Sequence, residues 1–78
     1  MEKTKYQEQF GERLKQIRFS AGLTQKQFAE LIKSSQPTVV RLEAGTRMPE
    51  AYLVKTITEK FGCNVEWLVT GEGESGLD

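Results

Sequence analysis

Apolar side chains recur along this chain every three to four residues, the repeat of an amphipathic α-helix rather than the alternation of a strand. Phe10, Leu14, Ile17 and Ala21 form one such stripe and predict a helix over residues 5–21. Thr4 and Gln7 have the spacing of a capping box at its start, and Gly22 supplies a left-handed stop. A second helix is predicted over residues 25–32, with Thr24 and Gln27 as another capping box and Leu23 and Phe28 as a hydrophobic staple. Lys33-Ser34-Ser35 interrupts the pattern. Ser35 can cap a third helix over residues 36–44, which Gly45 ends. Pro37 falls in its first turn, where a missing N–H does no harm, and Val39 and Leu42 face inward. Pro49 then opens a fourth helix whose buried stripe is Leu53, Ile57 and Phe61, stopped by Gly62. Asn64 caps a short fifth helix that offers Val65, Trp67 and Leu68 to the core. No alternating β-branched run is long enough for a strand. The expected fold class is all-α, a compact bundle of five short helices.

A chain of 78 residues suits one domain, expected over residues 1–73. Residues 71–78 are polar and glycine-rich, so residues 74–78 are expected as a flexible tail or the start of a linker. With one cysteine and no histidine, an internal disulfide and most zinc sites are excluded, and no metal or cofactor is expected. Cys63 is expected as a small apolar filler. There is no Cys–His pair and no glycine-rich phosphate loop after a strand, so no catalytic residues are assigned and an enzyme is not expected. Nothing points to a small-molecule ligand. No apolar run approaches the ~20 residues of a membrane helix. Met1-Glu2-Lys3-Thr4-Lys5 leads into no long apolar stretch, so neither a membrane nor a signal peptide is expected, and the location expected is the cytoplasm.

Charge changes this picture. Eleven basic and eleven acidic residues cancel overall, yet their distribution is uneven. Residues 13–47 carry seven cations against Glu30 and Glu43, a net of +5, whereas residues 48–78 carry two cations against six acids, a net of −4. Such asymmetry is the footprint of one face meeting phosphate, although a solvated surface of uneven charge would read the same way. Arg13 and Lys15 are expected as ordinary surface charges.

The second and third helices, joined by a three-residue turn, have the layout of a helix-turn-helix, in which the second helix enters the DNA major groove. At these residues the chain resembles the Xre/Cro/CI-type repressor family. The resemblance rests on Thr24-Gln25-Lys26-Gln27-Phe28-Ala29, on Leu42-Glu43-Ala44-Gly45 and on Trp67-Leu68-Val69-Thr70-Gly71, and it spans roughly residues 8–73. It implies a lambda-repressor-like bundle and a transcription regulator, a repressor of phage or prophage type. That regulator would bind a pseudo-palindromic operator in double-stranded DNA as a homodimer, within a bacterial nucleoid. It also implies roles for particular residues. Ser35, Gln36, Pro37 and Arg41 would read bases. Gln can pair with adenine and Arg with guanine through two hydrogen bonds each, while Pro37 limits its position to apolar contact. Gln25, Thr38, Val40 and Arg47 would contact the DNA backbone. Arg18 and Glu43 would form a structural ion pair, and Ala29 would let two helices cross closely. The family usually has glycine where Lys33 stands, because that turn takes a left-handed backbone. A different class remains open beside this one: an antitoxin-like or other protein–protein module built on the same helices, with which the acidic C-terminal third is compatible.

Overall fold

Local capping chemistry sets where the first three helices start, whereas Glu50 and Asn64 stand at the N-caps of the fourth and fifth without a side-chain capping bond. In the computed structural model, which describes residues 4–77, the five helices are α1 (Lys5–Ser20), α2 (Gln25–Leu31), α3 (Gln36–Ala44), α4 (Ala51–Phe61) and α5 (Val65–Thr70). Met1, Glu2 and Lys3, the first residues of the expected domain, and Asp78, the last of the expected tail, lie outside the described residues. Both capping boxes form. Thr4 Oγ1 accepts from the Gln7 amide at 3.0 Å while the Thr4 amide donates to Gln7 Oε1 at 2.9 Å. The pair at Thr24 and Gln27 repeats this at 3.1 and 3.0 Å. Ser35 Oγ accepts from the Thr38 amide at 3.3 Å, and Pro37 sits in the first turn of α3.

Three element boundaries differ from expectation: α2 ends at Leu31 with Ile32 as its C-cap, and the other two lie in α1 and α4. Helix α1 stops at Ser20 and leaves Ala21 as an exposed C-cap, so the stripe ends at Ile17. Helix α4 begins two residues after Pro49, with Glu50 as an extended N-cap whose carboxylate is turned to Arg47 at 2.9 Å rather than to the helix. Val65, expected in the core, is 54% exposed. A step of roughly 100° per residue puts it outside the arc spanned by the buried Trp67 and Leu68.

The apolar stripes meet in one core. Phe10, Leu14 and Ile17 of α1 pack with Phe28, Ala29 and Ile32 around α2 and with Val39 and Leu42 of α3. Leu53 and Ile57 of α4 and Trp67 and Leu68 of α5 close it, with Cys63 buried beside them. Phe61, half-buried, stacks on Phe28 with ring centroids 5.0 Å apart, which joins α4 to α2. The glycine-rich end turns back on the start of α5. Asn64 donates its amide to Ser75 O and its Nδ2 to Glu74 O, both at 2.8 Å, and Leu77 packs against the core. No helix among the described residues is long and apolar enough to cross a membrane.

Lys33 has φ 58, the one positive value on a non-glycine residue among those described. The α2–α3 turn therefore takes the left-handed backbone, and Lys33 carries its steric cost of roughly 1–2 kcal/mol. Lys33→Gly relieves that cost but loosens the unfolded chain. A net gain of about 1 kcal/mol is expected, read as a rise in Tm of roughly 4–8 °C.

Candidate nucleic-acid interface

Helix α3 divides into two faces. Val39, Leu42 and Glu43 are buried, whereas Gln36, Pro37, Val40, Arg41 and Ala44 are exposed. Its position is set from behind. Gly11 of α1 lies so close to the end of α3 that a Cβ there would stand 2.6 Å from both the Leu42 and the Glu43 carbonyl oxygens. Ala29 is buried between α2 and its neighbours.

A polar frame ties the same helices together. Arg18 grips Glu43 with two donors, Nε to Oε2 at 2.6 Å and Nη2 to Oε1 at 3.0 Å. Its third nitrogen, Nη1, donates to Leu23 O at 3.0 Å. The guanidinium also lies 4.6 Å from the centroid of the exposed Phe19 ring. Glu43 is 5% exposed and accepts one more bond, from Gln25 Nε2 at 3.1 Å. Gln25, half-buried at the first position of α2, is thus placed between this frame and the surface.

Of the remaining implied residues, Ser35 caps α3, Thr38 and Arg41 lie on it, and Arg47 follows it. Ser35 and Thr38 share a hydroxyl contact of 2.9 Å at the helix start. Arg47, in the loop after α3, pairs with Glu50. Arg41 is exposed and its side chain makes no hydrogen bond or ion pair among the described residues, and the same holds for Lys26 and Lys33. Lys15 lies 3.7 Å from Glu12. An open groove of about 730 Å³ runs between α1 and the ends of α3 and α5, but Glu8 and Glu12 line it beside Arg13, which disfavours an anion there.

Three features escaped the sequence. Gly11 carried a signal, since an interior helix glycine costs stability unless packing requires it. Arg13 is not a plain surface charge: it donates Nε to Leu68 O at 2.8 Å and Nη2 to Val69 O at 3.2 Å, satisfying carbonyls at the end of α5. Nothing local could place a side chain against carbonyls 55 and 56 residues away. The Gln25–Glu43 bond is likewise long-range, 18 residues apart. Cys63 is buried in the core as an apolar filler would be, and burial pushes its thiol above the ordinary cysteine range.

Comparison with known proteins agrees with this geometry. A helix-turn-helix family model (HTH_3) matches residues 14–68. A propionyl-CoA carboxylase regulator of Cereibacter sphaeroides is 38% identical over 64 residues, covering 82% of this chain and 14% of the regulator. The HTH-type transcriptional activator BcrR of Enterococcus faecalis is 33% identical, covering 82% of this chain and 31% of the activator. The chain therefore spans less than a third of the length of these two relatives. Among solved structures, the P22 c2 repressor in complex with a synthetic operator superposes with a TM-score of 0.75 at 17% identity, covering 81% of this chain and 96% of the repressor.

Proposed function

The chain belongs to the Xre/Cro/CI-type helix-turn-helix family of DNA-binding transcription regulators, and we propose that it reads an operator with α3 in the major groove, as a repressor. The observation that carries this is the outer face of α3, where Gln36 and Arg41 stand exposed on a helix whose other face is locked into the core. Gln36 and Arg41 read base edges, with Ser35 and Pro37 lining the same approach. Gln25, Thr38, Val40 and Arg47 meet the backbone. Two copies of the domain bind half-sites about one helical turn, ~34 Å, apart. The exposed Val65 and the returning C-terminal segment are available for the contact between them. The setting is the cytoplasm of a bacterium, on chromosomal or phage-encoded sites. The family and the fold are those of regulators, and no reaction is assigned.

Selection of bound duplexes from random DNA supplies the operator and its symmetry. Gln36→Ala with Arg41→Ala is then expected to weaken operator binding by about 30-fold or more, at ~1–3 kcal/mol per bidentate contact, while circular dichroism stays unchanged. An unchanged affinity in a folded double variant would show that α3 is not the reading element. Affinity must also fall with salt, by about 0.9 in log K per log salt for each phosphate neutralised. Two cations are already committed within the fold: Arg13 to carbonyls and Arg18 to Glu43. The slope per protomer is expected to be shallow, near that of Lys26, Lys33 and Arg47, with Arg41 turned to the bases. A protein–protein module held by apolar contact would give no such slope.

A further inference from the structure

Glu43 belongs to the core by burial, yet one of its oxygens faces the proposed DNA surface through Gln25. We propose that Glu43 is a positioning residue for DNA: its carboxylate holds the Gln25 side-chain amide with one N–H turned inward and the other left for a phosphate. The inference rests on the DNA reading given above.

A carboxylate only accepts hydrogen bonds, so the group of Gln25 that faces Glu43 must be its NH₂ and not its carbonyl. That group has two hydrogens, and one is spent on Oε1 at 3.1 Å. The other remains as a donor whose direction is fixed by the planar amide. The frame behind it cannot swing, because Arg18 holds both Glu43 oxygens and the Leu23 carbonyl, two residues before Gln25 in the chain. Ordering of a rotamer-rich side chain is thereby completed on folding rather than on binding, which is the general route by which preorganisation raises affinity. Arg18 also cancels the charge of Glu43, so an incoming phosphate meets a neutral pair behind the amide. A direct link from α1 through α3 to the first residue of α2 follows from one carboxylate.

A double-mutant cycle tests this with the whole chain and the duplex recovered by selection. Glu43→Gln lets the Gln25 amide turn over, because an amide can donate as well as accept. Gln25→Ala removes the donor. Each is expected to weaken duplex binding about 5- to 20-fold when corrected for folded fraction. The double variant is expected to bind within about twofold of Gln25→Ala, since Glu43 then has nothing to position. Losses that multiply, or a folded Glu43→Gln protein that binds as the parent does, would overturn the proposal. Side-chain ¹⁵N spectra of the unmodified protein serve where Glu43→Gln does not fold. One Gln25 amide proton is expected to be protected from exchange in the free protein, and the second to become protected when the duplex is added. Two rapidly exchanging protons in the complex would sink the idea. Failure of the unmodified protein to bind any duplex would end the DNA reading and this inference together, whereas intact binding with uncoupled variants would end this inference alone.

Discussion

Arg18→Ala is expected to cost the domain about 3–5 kcal/mol, enough to unfold much of the population. The reason lies with its partner. The Glu43 side chain is 3% exposed, and Arg18 supplies two of the three donors it receives. Removal of the arginine strands a buried carboxylate with one amide for company, and the Leu23 carbonyl loses its partner as well. Urea denaturation followed by circular dichroism measures the loss. Arg18→Met combined with Glu43→Met provides the control. With both charges gone and apolar volume retained, the double variant is expected to be more stable than Arg18→Ala. A double variant less stable than the single would mean that the pair itself, rather than the abandoned charge, holds the fold.

Gly11→Ala is expected to cost about 2 kcal/mol, or roughly 10 °C in Tm, even though alanine is the better helix former by ~1 kcal/mol. The new methyl would meet two backbone carbonyls at 2.6 Å, and backbone atoms cannot rotate away as a side-chain tip can. Relief requires α1 and α3 to separate, which shifts the exposed face of α3. The variant is therefore expected to lose operator affinity beyond what its folded fraction explains. A thermal melt together with a binding isotherm checks both parts. An unchanged or raised Tm would mean that the close crossing is softer than the distances imply.

Both outcomes turn on contacts between distant parts of the chain, and these mark the limit of what the sequence made legible. The helix starts at Thr4, Thr24 and Ser35 were legible because a cap and its amide lie three residues apart. The stop at Gly45 was legible for the same local reason, with its φ of 79. The inward faces followed from periodicity, and it failed at Ala21, where α1 has already ended, and at Val65, which lies off the buried arc of α5. The lysine in a left-handed turn at Lys33 was recognisable only against the family's usual glycine. Within the candidate interface, spacing put Val39 and Leu42 on the inner face of the third helix, whereas the resemblance to the family is what assigned Gln36, Pro37 and Arg41 to the outer one. The attachment of Gln25 to Glu43 could not, because spacing along a chain does not tell which side chains meet across three helices. Arg13 shows the same limit: an arginine that serves carbonyls looks in sequence like any other surface cation.

The returning C-terminal segment has a practical side. Asn64 fixes Glu74 and Ser75 at the corner between α4 and α5, so anything appended to this chain is tethered from that corner and not from the far end of α5. A fluorophore or a fused domain would start its leash beside Asn64 and the packed Leu77. The volume it can sweep is then set by linker length measured from Leu77, which makes the corner a usable origin for distance measurements to bound DNA.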